Sequence, residues 1–178
     1  MVEPTHAQIG PDGARAKFAS VFLPHLDAAY QLARWLMRHD QDAQDCVQDA
    51  YLRAFRAYPR FRGGDGKAWF MTIVRNVCYT ALKKRPGHER AEPFDEEIHL
   101  PAREGGELKA SAETLQSALE QLQPEHREMI VLHDLEGHAY KEIAAIASLP
   151  IGTVMSRLAR ARDKLRALLL NTSPGATP

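Results

Sequence analysis

Three glycines crowd around an aspartate and a lysine in FRGGDGKAWFMTIVRN, residues 61–76, and a Trp-Phe pair leads into an apolar run. Glycine-freed backbone amides beside a lysine are the parts of a phosphate-binding loop. The spacing excludes that chemistry. Five positions before Gly66-Lys67, where a Walker-type loop needs glycine, stands Phe61; after it, where a metal-binding hydroxyl belongs, stands Ala68. Gly63, Gly64 and Gly66 do not make G-x-G-x-x-G either, and no β-branched strand run precedes them. What remains is a helix-connecting loop, or a loop that grips another kind of ligand.

The other reactive residue types are sparse. His126, His133 and His138 lie near Asp134, but there is no H-E-x-x-H, and intervals of seven and five do not align all three on one helix face. They read as core or surface histidines, so neither a metal site nor a helical enzyme is expected. Cys46 and Cys78 form no C-x-x-C and sit in helical patterns, which suits buried thiols in a reducing compartment. The N-terminus MVEPTHAQIGPDGARAKF lacks the basic start and apolar core of a signal segment, and nothing approaches the roughly 20 apolar residues of a membrane span. A cytoplasmic location is expected.

The elements that must position these residues are helical. Leu, Ala, Arg, Glu and Gln dominate the 178 residues, and a hydrophobic fraction of 44% suffices for a globular core. Apolar spacing predicts a helix over 16–38, with Pro24 able to kink or restart it, and a second after HDQDAQDC, capped by Asp40 or Asp42. A third is predicted over 67–85 with KKR at its C-terminal end, and Pro86-Gly87 stops it. Residues 86–110 are rich in Pro, Gly and acid and read as a linker. Helices resume near 112–122, then from Pro124, then over 140–147 and from Val154 to about Leu170, with a turn at Glu136-Gly137.

Charge follows this division. Among Lys, Arg, Asp and Glu, residues 15–90 carry 14 positive and 7 negative, residues 91–113 carry 2 and 7, and residues 151–170 carry 5 and 1. Two basic segments flanking an acidic one suit two polyanion-facing modules on a tether, although the net charge is zero.

The segment YKEIAAIASLPIGTVMSRLARARDKL, residues 140–165, is organised as a helix-turn-helix: short helix, turn, longer basic helix. On the longer helix Val154, Leu158, Ala161, Leu165 and Leu168 share one side; Met155, Ser156, Ala159 and Arg160 fall on the other, free to meet a groove. Arg157, Arg162, Lys164 and Arg166 supply charge for phosphates.

At these residues the chain resembles a known family. PEHREMIVLHDLEGHAYKEIAAIASLPIGTVMSRLARARDKL is similar to the fourth conserved region of bacterial sigma factors, and DAQDCVQDAYLRAFRAYPRFRGGDGKAWFMTIVRNVCYTALKKR to the second. With nothing sizeable between, the whole resembles the small extracytoplasmic-function (ECF) type. The fold class expected is therefore all-α: a tail over 1–14, a region 2 domain over 15–87, a flexible acidic linker over 88–111, a region 4 domain with the helix-turn-helix over 112–170, and a disordered tail over 171–178.

The resemblance implies a transcription initiation factor that uses no cofactor and catalyses no reaction. Its partners would be core RNA polymerase, through the β′ clamp helices and the β flap, and promoter DNA; an anti-sigma factor is common in the family, but no residue here identifies one. Residues matching the clamp-docking helix are Asp45, Gln48, Asp49, Leu52 and Arg53. For the -10 element, Arg62, Gly63, Gly64, Asp65 and Lys67 would wall a pocket for an extruded base, Asn76 would hydrogen-bond it, and Arg75, Lys83, Lys84 and Arg85 would meet phosphates. Trp69 either packs the loop onto the helix or touches DNA. For the -35 duplex, the helix starting at Thr153 would present Met155, Ser156, Ala159 and Arg160 to bases, with Arg157 and Arg162 on the backbone. One departure stands out: Ala147-Ser148 replaces the family's usual Leu-Gly at the turn, where glycine permits positive φ. An ordinary helix-turn-helix regulator would explain 124–170 but leaves the glycine loop without a role.

Overall fold

The computed structural model describes residues 11–85 and 111–172. Of the expected tail over 1–14, linker over 88–111 and tail over 171–178, residues 1–10, 88–110 and 173–178 lie outside them; residues 11–14 and 171–172 instead belong to helices, and Ser111 caps one. All regular elements among the described residues are helical. Helix α1 (Pro11–Phe22) runs into a 3₁₀ turn at Leu23–His25, and α2 (Leu26–Met37) follows. Pro24 has no N–H for an interior helix bond, so the pattern over 16–38 restarts at this point rather than bending. Helix α2 ends at Arg38 with φ 65°, a left-handed residue that reverses the chain.

Helix α3 (Asp40–Ala57) is preceded by His39 and not by an aspartate cap. The two carboxylates expected to cap it have other partners: Asp40 accepts from Tyr30 and Gln44, and Asp42 from Arg85. A second 3₁₀ turn (Tyr58–Arg60) leads to the glycine loop and α4 (Gly66–Lys83). The second half comprises α5 (Ala112–Gln121), α6 (Pro124–Ile130), a π-helical turn over Val131–Leu135, α7 (Tyr140–Ala147) and α8 (Ile151–Thr172). Pro124 takes the first helical position of α6, where its missing N–H costs nothing.

Phe18 and Phe22 of α1 anchor the first half. Phe18 meets Tyr51, Phe55 and Tyr58 edge-on at ring distances of 5.0–5.3 Å, and Phe22 meets Phe61, Trp69 and Phe70 at 5.3–5.7 Å. Burying each such ring contributes on the order of 1.5–3 kcal/mol. Cys46 of α3 and Cys78 of α4 are both free thiols buried in this core.

The two halves are not separate bodies. One continuous apolar core runs from Phe18 through Leu36 and Val77 to Met129, Ile143 and Leu158. Arg127 of α6, 2% exposed, donates to Leu119, Glu120 and Leu122 carbonyls at the end of α5 and reaches across to Trp35 O at 2.7 Å and Leu36 O at 3.5 Å. One guanidinium thus caps the C-terminal ends of two helices from different halves, where carbonyls lack intrahelical partners and a cation suits the dipole. Burial brings its pKa down to about 10, with Arg38 adding to the effect, and it stays charged at neutral pH.

Candidate nucleic-acid interface

The loop before α4 is built as its glycines suggest. Gly63 and Gly64 have φ of 84° and 94°, a region other residues seldom adopt, and a side chain at either would meet open space. At Gly66 a Cβ would lie 3.0 Å from a Val21 methyl, so a side chain there would require Val21 of α1 to give way by a few tenths of an ångström. Asp65 is the α4 N-cap: its Oδ1 accepts from Ala68 N at 2.9 Å. The carboxylate placed on a base pocket by resemblance therefore has a structural task. Arg62, Gly63, Gly64 and Asp65 are exposed and Lys67 is half-buried, so the rim faces outward. Trp69 is half-buried against Phe22 and Phe61, its ring 5.0 Å from that of Phe61, and so holds the loop to α1.

Along α4 the remaining candidates divide. Asn76, Lys83 and Lys84 are exposed. Arg85 instead donates to Met37 O at 3.2 Å and pairs with Asp42, and Arg75 is bound to Glu128 of α6. Lys67 and Lys84 lie about 25 Å apart along the axis at 1.5 Å per residue, so no single nucleotide touches both ends. The Arg75 contact is strong. Its Nε and a terminal nitrogen donate to the two Glu128 oxygens at 2.5 and 3.1 Å, and Tyr79 adds its hydroxyl at 2.9 Å. Burial pushes the Glu128 carboxyl above its ordinary range while Arg75 pulls it back; Arg75, despite the hydration it loses, is held charged by Glu128.

The helix-turn-helix is present. Helices α7 and α8 turn through 101° about residues 148–150. Ser148 sits in the left-handed region at φ 55°, as a turn built for glycine demands, and Leu149 N closes it on Ala144 O at 3.0 Å. Glu142 fixes the start of α7 by accepting from Ala139 N at 2.8 Å. Helix α8 begins at Ile151, three residues earlier than its apolar pattern indicates, so Thr153 lies in its first turn. Val154, Leu158 and Ala161 are buried; Met155 is 51% exposed and Ala159 is exposed, while Thr153, Ser156, Arg157 and Arg160 are half-buried.

Arg157, Arg160 and Lys164 gather near His126 of α6, whose pKa falls first through burial and then through Lys164. Arg162 donates to both Asp134 oxygens at 2.5 and 3.1 Å, and Asp134 also holds His133, whose ring stacks on Tyr140. Arg162, placed on the DNA backbone by resemblance, here clamps α8 to the π-helical turn. His138 is buried and pairs with Glu142 at 3.4 Å. The three histidines are thus scattered among separate structural contacts.

A further surface lies on α3 of the first half. Asp45, Gln48 and Leu52 are exposed on α3, and Arg53 pairs with Asp49 at 2.9 Å. Beside them Leu23, Leu26, Val47, Tyr51 and Leu52 line an apolar groove of about 510 Å³. Leu23 was not among the residues singled out from sequence; its signal was an apolar residue exposed by the break at Pro24. Tyr79 and Glu128 were also missed, because each reads as part of an ordinary helix face.

A helical protein with an outward glycine-loop helix, a helix-turn-helix and an apolar groove belongs to the class of DNA-binding factors that also dock on a protein. The family models for Sigma-70 region 2 and Sigma-70 region 4 match residues 21–86 and 112–165. The chain belongs to the sigma-70 family and is of the ECF type. It is 32% identical to the ECF RNA polymerase sigma factor SigE of Mycolicibacterium smegmatis, over 96% of this chain and 70% of that one. It is 35% identical to SigM of Mycobacterium tuberculosis, over 90% and 82%. Among solved structures it is similar to the sigma factor RpoE in complex with the anti-sigma factor NepR from Bartonella quintana, with TM-score 0.66, 33% identity and 88% and 98% of the two chains covered. CnrH in complex with the cytosolic domain of CnrY gives 0.64, 28%, 89% and 91%. Among the described residues no single helix is long and apolar enough to cross a membrane.

Proposed function

We propose that this chain binds core RNA polymerase in the cytoplasm, directs it to promoters carrying both a -10 and a -35 element, and opens the duplex, hydrolysing nothing. The observation that carries the reading is the presence of both sigma-70 regions in one chain, each with its own outward surface. Asp45, Gln48, Asp49, Leu52 and Arg53, with the apolar groove beside them, suit a helical partner such as the β′ clamp helices, since a groove flanked by polar groups accepts an amphipathic helix. The loop Arg62 to Lys67 with Asn76 holds an extruded -10 base, and Trp69 positions that loop rather than stacking on DNA. Met155, Ser156, Ala159 and Arg160 read the -35 duplex, and Thr153 and Arg157 set register on phosphates.

An anti-sigma partner fits the same picture, because the solved RpoE named above was captured with the anti-sigma factor NepR. The reading is tested by in vitro initiation from a genomic promoter pool with core polymerase and this protein. Selection of a promoter subset with two conserved elements is the expected result. If core is active with another sigma factor while this folded chain selects no promoter, the reading is wrong.

A further inference from the structure

Arg75 and Tyr79 stand one turn apart on α4, with the guanidinium 4.4 Å above the Tyr79 ring. Three donors, two from Arg75 and one from Tyr79, converge on the Glu128 carboxylate at 2.5–3.1 Å. A flat guanidinium fork with a hydroxyl beside it recognises any group presenting two anionic oxygens, a phosphodiester as well as a carboxylate. The carboxylate that fills this seat comes from the other half of the molecule, 53 residues away, and is fully buried. The three donors come from two side chains of α4, so the compensation for burying its charge exists only while the halves are closed.

We propose that Glu128 and a backbone phosphate of single-stranded promoter DNA compete for the Arg75–Tyr79 seat, so that the closed chain is self-inhibited for strand binding and must open to hold the -10 strand. The inference rests on the reading of α4 as the strand-binding helix. It goes beyond that reading by making Glu128 an internal anion that stands in for the phosphate, and by adding Tyr79 to the site. Asn76, next along the helix, is exposed in the closed chain, so one base-facing group is available while the neighbouring phosphate seat is taken. Mutual exclusion follows from charge. With a phosphate in the seat, Glu128 would stay buried without a counter-charge, which drives the halves apart.

The test uses the full-length chain, small-angle scattering for its dimensions and a labelled single-stranded DNA of mixed sequence for binding. Glu128→Gln keeps the shape but removes the charge. It should enlarge the radius of gyration and tighten strand binding by at least about fivefold, the low end of coupling between linked sites. Arg75→Met leaves the second half untouched; it should enlarge the particle equally and gain no strand affinity. Saturating the wild-type chain with strand should expand it to the same dimensions.

A Glu128→Gln chain as compact as wild type, or open but no better at binding strand, overturns the proposal. So does a compact Arg75→Met chain, which decides the matter if Glu128→Gln does not fold. Wild-type protein that starts transcription with core polymerase, yet shows none of these responses, defeats the competition and leaves the sigma reading standing. Failure to initiate anywhere defeats the reading beneath both.

Discussion

Arg160 stands half-buried on α8 beside His126, one turn beyond the exposed Met155 and the half-buried Ser156. Bidentate arginine to guanine is the commonest specific contact in a major groove, so Arg160→Ala should relax -35 preference at one position and cost about 1–3 kcal/mol in duplex competition assays. Unchanged preference among single-position duplex variants would remove Arg160 from the reading set. Asn76→Ala should leave duplex engagement intact and reduce open-complex formation, as followed by permanganate reactivity of unpaired thymines. Ser148 carries the cost of a left-handed backbone on an L-residue with an exposed side chain. Ser148→Gly should therefore stabilise the fold by about 0.5–1 kcal/mol in urea titration, and a loss would show that the serine side chain is needed. The departure from glycine was legible in the sequence, and so was the positive φ it implied. Asp65 was not so transparent: a carboxylate in a glycine loop reads as a ligand group until the Ala68 amide is seen to use it.

At the scale of elements, periodicity located each helix, because burial of one face at every third or fourth residue leaves a trace in one dimension. Val154, Leu158 and Ala161 lie buried on the side that this spacing assigned to the core. The boundaries that shifted did so for local reasons. Pro24 turned one predicted helix into two, and α8 gained a turn because Gly152 and Thr153 continue the helix that Ile151 begins. The groove between the 3₁₀ turn and α3 required both elements at once: Leu52 was visible as a helix-face residue, Leu23 only as an apolar neighbour of a proline. Leu52, 48% exposed, contributes little to the core. Leu52→Asp should shift stability by no more than about 0.5 kcal/mol and weaken core polymerase binding by about tenfold or more, measured by size-exclusion or fluorescence titration. Binding unchanged by that charge would place the polymerase contact elsewhere.

For the whole molecule, Arg127 and the histidines set the expectations. Arg127→Met keeps volume but leaves carbonyls at two helix ends without their donor, and should cost about 3 kcal/mol in equilibrium unfolding. A cost below about 1 kcal/mol would mean that water replaces the guanidinium without loss. His126 is held below the usual imidazole value by burial and then Lys164, against Glu125; His138 by burial and then Lys67, against Glu142 and Glu136. Unfolded imidazoles take up protons near pH 6.5, whereas the folded ones do so only at lower pH. The unfolded chain then binds more protons, so their contribution to stability is intact above about pH 6.5 and is lost as pH falls below it. The midpoint of thermal unfolding should drop over that window, and less steeply once both histidines are Gln; equal slopes would assign the pH response to other groups. The amino-acid sequence by itself determined helical class, the two regions and the order of their motifs, since each depends on local spacing and on residue types that act where they stand. Only the tertiary structure decided that the halves share one core and that Glu128 fills the Arg75–Tyr79 seat. In one dimension Arg127 and Glu128 look like solvated charges on a short helix; what buries them is a surface more than 40 residues away in the chain, and no local pattern encodes such a pairing.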